Sequence, residues 1–180
     1  RRIEQLRSLF GENLYFEIQR HRTSREDMEL DGMAKESWLY RQYQDHIAAQ
    51  SAIEKVLREE GQRRGIACVA THNCHYLKRD DWKAHEILLN IQSGEPCFLR
   101  QKDPHTQENI VSPYPKRVTF PTHEYYFTSP EEMATLFSDF PEALATSVAI
   151  AEQCHVCIDF ATKHYPVYEI PEAENREQAA

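Results

Sequence analysis

Two short strand-forming segments with a helical pattern between them constrain this chain more than any other feature. In LYFEIQ, Leu14, Phe16 and Ile18 alternate with Tyr15, Glu17 and Gln19, the period of a strand with one apolar and one mostly polar side; His21 continues the polar side. IACVAT, residues 66–71, is a second apolar strand-forming run. Before it, Ala49, Ala52, Ile53, Val56 and Leu57 mark the apolar stripe of a helix that ends at Gly61 or Gly65. Strand, helix and strand within this compass predict an α/β fold with parallel strands joined by a crossover. Such units carry functional residues at the carboxyl ends of their strands, so Glu17 to His21 and His72 to His75 share one rim.

The rest of the chain is organised around that unit. Ile3, Leu6 and Leu9 predict a short opening helix stopped by Gly11. Residues 22–43 are charged and without a sustained period, which predicts an inserted loop with a helical turn around Trp38 and Tyr40. Asp80 is placed to cap a helix with the stripe Ala84, Ile87, Leu88 and Ile91, ending at Gly94. Residues 95–127, with Pro96, Pro104, Pro113, Pro115 and Pro121, predict an extended excursion with short strands. Ser129, Pro130 and Glu132 form a capping box with proline at the first helical position. Asp139 and Glu142 repeat the device before a helix to about Cys154; VCIDF then suggests a last strand and the end a polar tail.

A chain of 180 residues with 41% hydrophobic content supports one domain or part of one. Its formal charge of -8 disfavours autonomous binding of nucleic acid or anionic membrane. No apolar run reaches the roughly 18 to 20 residues of a membrane span, and no charged-then-apolar segment opens the chain, so a cytoplasmic protein is expected. Five scattered cysteines, an odd number, read as free thiols rather than a disulfide framework, and no Walker or Rossmann glycine loop occurs.

The candidate site is HNCH, residues 72–75, at the end of the second strand. Thr71, Asn73 and His75 share parity, while His72 and Cys74 point the other way, which makes Asn73 and His75 the functional pair if the first set faces inward. A histidine offers Zn or Mn a neutral ring nitrogen; an aspartate two positions earlier would add charge, whereas Asn73 offers only a weak neutral oxygen. Capping or hydrogen bonding is the competing role for the same residues. Glu17, Gln19 and His21 either line a polar cavity or face solvent. His85 offers a structural hydrogen bond or support behind a ligand. Cys154 and Cys157 lack the second cysteine pair that a zinc ribbon needs, and Tyr125, Tyr126 and Phe127 serve either core packing or base stacking.

Four blocks in order, FGENLYFEIQRH, VATHNCHYL, WKAHEILLNIQSGEP and SPEEMATLFSDFPEALATSVAIAEQC, resemble the PHP (polymerase and histidinol phosphatase) domain of the bacterial replicative DNA polymerases of family C. The resemblance covers roughly residues 5 to 168. It implies the carboxyl-terminal part of an irregular β/α barrel over residues 1–165, with 22–43 and 95–127 as insertions or extended loops, and 166–180 linking toward the polymerase palm. The family motif matching ATHNCHYL commonly reads ATNDVHYL. This aligns His75 with a metal-binding histidine and Asn73 with a metal-binding aspartate, so the histidine is kept and the aspartate is not. Glu17, Gln19, His21, His72 and His85 fall on the same rim or just behind it.

The resemblance further implies part of a DNA-directed DNA polymerase, a nucleotidyltransferase, whose catalytic Mg site lies outside this chain. No residue here is assigned to nucleotide addition. Zn or Mn at the PHP site is weakened by Asn73. DNA and deoxynucleotides would be met by other domains, replisome subunits would be partners, and no membrane is implied. The alternatives are a freestanding PHP-type metal-dependent phosphoesterase, or a structural interaction module with a vestigial site.

Overall fold

The computed structural model describes residues 2–163, 165 and 166. Helix α1 (Arg2–Phe10) leads through a turn into strand β1 (Phe16–Gln19), and β1 pairs in parallel with β2 (Cys68–Thr71), Phe16 opposite Cys68 and Gln19 opposite Thr71. The crossover between them includes α2 (Arg25–Leu30) and the long α3 (Ser37–Arg64). The parallel unit expected from the sequence is therefore present, with strands two residues shorter at their starts. An isolated parallel bridge between Tyr76 and Tyr126 continues the same direction of pairing.

Two observations explain how α3 meets β2. Gly65 ends the helix with φ at 64°, the left-handed region that glycine enters without steric cost. Gly61 allows the helix to close on the next segment: a Cβ there would lie 2.8 Å from the Ile66 carbonyl oxygen and 3.4 Å from Cys68 Sγ. The core on this side consists of Ile18, Cys68, Ala70, Phe137 and Ala143, with Phe16, Leu57 and Leu144 packed against it. Helices α5 (Pro130–Leu136) and α6 (Pro141–Gln153) supply Phe137 and Ala143 from their ends, and α6 lies on β2. Full burial of side chains such as Ile18 and Phe137 contributes roughly 1.5–3 kcal/mol each.

Residues 22–43 hold more structure than the loop expected there: α2, a turn at Met33–Lys35 and the first turns of α3. Ser24 caps α2 by accepting from the Asp27 amide at 3.0 Å. Met28, Met33 and Leu39 make a second small core with Trp38, Tyr40 and Tyr43 around it. So few apolar residues carry this burial that the charged ones mask the period.

The capping box before α5 forms as expected: Ser129 Oγ accepts from the Glu132 amide and Glu132 accepts from the Ser129 amide. The one expected from Asp139 does not, because its carboxylate is held by Arg20; Phe140 occupies the cap position of α6. The Asp80 cap expected for α4 (Trp82–Ser93) is not made: Asp81 holds the cap position without a side-chain bond to the helix, and its carboxylate accepts from the Lys78 amide at 3.0 Å in the turn before it. Helix α4 ends at Gly94, φ 77°, where the sequence placed the stop.

The orientation of α4 reverses the expectation. Ala84, Ile87, Leu88 and Ile91 lie outward, and Glu86 and Asn90 are buried. Their polar partners decide it: Asn90 accepts from the Val118 amide at 2.8 Å and donates to the Val118 carbonyl at 2.7 Å, while Glu86 accepts from Arg117 at 3.0 Å. The stripe on α3 behaves alike, with Ile53 and Val56 exposed and Glu54 buried. In the proline-rich stretch, β3 (Phe98–Lys102) pairs antiparallel with β4 (Asn109–Pro113), as expected of short strands. VCIDF forms no strand and is exposed. The expected link beyond Pro166 lies outside the described residues. Among the described residues, no helix is long and apolar enough to cross a membrane.

Candidate functional site

Where β1 and β2 end, the chain turns three imidazoles toward one another. His21 follows β1 and is 2% exposed; His72 follows β2; His46 comes from α3. The His21 ring stacks on Tyr125 with centroids 4.1 Å apart, and lies 4.7 Å from His72 and 6.4 Å from His46. Gln50 holds His21, its amide nitrogen 3.2 Å from Nδ1. With Gln50 as donor there, the neutral ring carries its proton on Nε2. That atom, His46 Nε2 and both nitrogens of His72 are buried without a hydrogen-bond partner. Burial, then the neighbouring His72 and His46, push the His21 pKa down to about 3, and burial also lowers His46 and His72. All three are therefore neutral at neutral pH.

Around them lies an ion-pair lattice. Arg20, 1% exposed, donates from Nε to Glu54 at 3.0 Å and also from Nη2 to the other oxygen of that carboxylate. Its Nη1 reaches Asp139 at 2.6 Å and the Leu136 carbonyl at 2.7 Å, and the guanidinium covers the Phe137 ring at 4.5 Å. Arg58 adds contacts to Asp139 and Glu54. Burial would raise the Glu54 carboxyl, but Arg20 holds it below the ordinary range; Arg20 hydrogen bonds bring Asp139 down to about 2. The lattice thus ties β1, α3 and the α5–α6 junction together.

The residues singled out in the sequence separate into groups. Glu17 is exposed and accepts from Thr71 Oγ1 at 2.6 Å and Gln19 Nε2 at 3.1 Å, outside the imidazole cluster. His21 and His72 come together inside it. His75 is exposed; its ring meets Phe120 edge-on at 4.8 Å and lies 5.2 Å from His85, and its amide donates to the Tyr125 carbonyl at 2.7 Å. Asn73 is exposed, and it meets His21 through its backbone. Cys154 and Cys157 are exposed and free.

Among the described residues, no three His, Cys, Asp or Glu side chains are grouped to hold a metal ion. The donors that are closest, His21 and His72, are neutral imidazoles, and Glu124 and Glu132, carboxylates that share a cavity with His72, are held by Arg79 and Tyr126, so these residues alone do not fit a Zn or Mn centre. The adjoining cavity of about 360 Å³ is lined by Arg20, Arg22, His72, Glu124, Tyr126 and Glu132. Most of its charges are committed: Arg20 as above, Glu124 to Arg79 at 2.9 Å, Glu132 to Tyr126 at 2.6 Å. What remains open to chemistry is hydrogen bonding or ligation by the free imidazole nitrogens.

Arg20, His46 and Glu54 were not singled out from the sequence, and Tyr125, read there as core packing or base stacking, packs on His21. Glu54 had a signal, a carboxylate set inside an apolar helical stripe between Ile53 and Leu57. Arg20 had only its place one residue beyond a strand.

No protein-family model matches the chain. It is 43% identical over 165 residues to DNA polymerase III subunit alpha of Chlamydia trachomatis, which covers 92% of this chain and 12% of that protein. It is 39% identical over 171 residues to the subunit of Chlamydia pneumoniae, 95% of this chain and 13% of that one, and 28% identical over 173 residues to that of Thermus aquaticus, 94% and 11%. The chain spans about one eighth of the length of these curated relatives. On identity sustained along nearly its whole length, the chain belongs with the DNA polymerase III alpha subunits, as a segment of that family.

Proposed function

We propose that this chain is a supporting region of a DNA-directed DNA polymerase, the PHP-type part of a replicative alpha subunit, and that it braces the polymerase core rather than performing nucleotidyl transfer. The observation that carries the reading is the strand-end rim, where Arg20, Glu54 and Asp139 are spent on one another and the histidines are neutral. Other segments of a polypeptide of the relatives' length complete the irregular barrel, hold the Mg-binding carboxylates, and meet DNA, deoxynucleotides and replisome subunits. On this reading Asn73 and His75 bind Zn or Mn only with donors from those segments.

The test is residues 1–180 purified alone and given primed DNA, deoxynucleotides and Mg, then DNA with Mn or Zn. Neither incorporation nor nucleotide release is expected, and turnover in either assay overturns the reading. A second reading, a metal-dependent phosphoesterase, needs donors from other segments beside the unpartnered nitrogens of His21 and His72. That one requires stoichiometric Zn or Mn retained after dialysis and lost in His72→Gln.

A further inference from the structure

A cavity of about 740 Å³ lies away from the strand ends, between the Met33–Lys35 turn, the first turns of α4 and the paired ends of β3 and β4. Its lining is largely apolar: Met33, Leu39, Trp82, Ile87, Phe98 and Pro113. Ile87 and Phe98 are 44% and 51% exposed, and the outer face of α4 continues from Ile87 to Leu88 and Ile91, 63% and 71% exposed. Groove and helix face together make an apolar surface of the kind that marks an interaction site.

The charges around it have an uneven disposition. Each acid in the lining is already engaged: Asp31 with Arg79 at 2.7 Å and His123 at 2.9 Å, and Glu36 and Glu86 with Arg117 at 2.6 and 3.0 Å. Lys35 and Lys83 also line the cavity, and among the described residues neither makes an ion pair. A chain of net charge -8 therefore presents here an apolar floor with two cations outside any ion pair among the described residues, Lys35 and Lys83, the latter 5.7 Å over the Trp82 ring.

We propose that this groove docks an acidic amphipathic helix from another segment of an alpha-subunit-length polypeptide. The inference rests on the family reading, since most of the relatives' length lies outside the matched region. Apolar side chains at i, i+3, i+4 and i+7 of such a helix fill the groove and cover Ile87, Leu88 and Ile91, while flanking carboxylates reach Lys35 and Lys83. A second copy of this chain is disfavoured by repulsion between two acidic molecules. Nucleic acid requires rows of cations along its phosphates, which two lysines do not provide even beside Trp82 and Phe98.

The experiment is zero-length carbodiimide coupling on an alpha-subunit-length polypeptide containing this chain, read by mass spectrometry, with hydroxyl-radical footprinting in parallel. The expected result is Lys35 or Lys83 joined to an Asp or Glu outside residues 1–180 of the same polypeptide. Ile87, Leu88 and Ile91 should lose most of the labelling they show in the isolated chain. In the Lys35→Gln, Lys83→Gln double variant the coupling should vanish and labelling of the face should rise. Unchanged labelling of the face in the long polypeptide overturns the proposal, as does coupling only to a second copy or protection that appears only with DNA. Primer extension by the same preparation is read separately: an active polymerase with an open groove refutes the docking alone, and an inactive one with a covered groove refutes the functional reading alone.

Discussion

Arg20 and Glu54 meet as a fork against a carboxylate, two donors of one guanidinium on the two oxygens of one acid, with both side chains nearly sealed from solvent. The pair joins the end of a strand to the middle of the crossover helix, and Asp139 closes it from the far end of the sequence. Its geometry makes the strand-end rim a place where charge is used to hold elements together.

Removing Arg20 leaves the Glu54 carboxylate buried, with only the more exposed Arg22 and Arg58 beside it. Arg20→Ala should destabilise the chain by about 3–5 kcal/mol, whereas replacing Arg20 and Glu54 together by Met should cost much less. Urea unfolding of the two variants checks this, and equal losses would show that the pair is not coupled.

Protonation acts on the same region. His21, His46 and His72 have lowered folded-state pKa values, so the unfolded chain binds protons first as pH drops. Their contribution is complete above about pH 6.5, the ordinary histidine value, and is lost as pH falls toward the folded values, about 3 for His21. Glu54 and Asp139, also lowered, add a further loss below about pH 4. Stability measured from pH 7 to 5 should therefore decline, and His21→Gln should flatten that slope. An unchanged slope would remove His21 from the account.

At Gly61 a single methyl group tests the closeness of α3 to β2. Alanine would ordinarily favour the helix by up to about 1 kcal/mol, yet the contact with the Ile66 carbonyl should make Gly61→Ala destabilising by about 1–3 kcal/mol. A gain in thermal midpoint would contradict the packing.

The outward faces of α3 and α4 make the isolated chain sticky. Residues 1–180 alone should bind a hydrophobic dye and melt broadly. Leu88→Lys with Ile91→Lys should reduce dye binding while changing stability by no more than about 0.5 kcal/mol. Strong destabilisation by the pair would mean that the face is packed inside this chain.

Local rules carried far along this sequence. The alternation in LYFEIQ, the strand within 66–71, the box at Ser129 and Glu132, and the glycine stops at 94 and at either 61 or 65 all depend on neighbours a few residues apart, and all were legible. The facing of α4 was not, because it is set by what Arg117 and the Val118 backbone demand of Glu86 and Asn90 across the fold. Asp139 failed as a cap for the same reason, its carboxylate being claimed by an arginine 119 positions away. At the site, the rim itself could be read, but parity could not be carried past the strand: His21 and His72 turn inward beyond the last ladder residues while Asn73 and His75 remain exposed.

The central claim is that this rim braces a polymerase and takes no part in its chemistry. Its most direct test is primer extension by an alpha-subunit-length polypeptide carrying His21→Gln and His72→Gln, assayed at a temperature where the variant is folded and again after heating. The account predicts wild-type turnover in the first assay and faster thermal inactivation in the second. A collapse of turnover in the fully folded variant, with unchanged heat resistance, would contradict it.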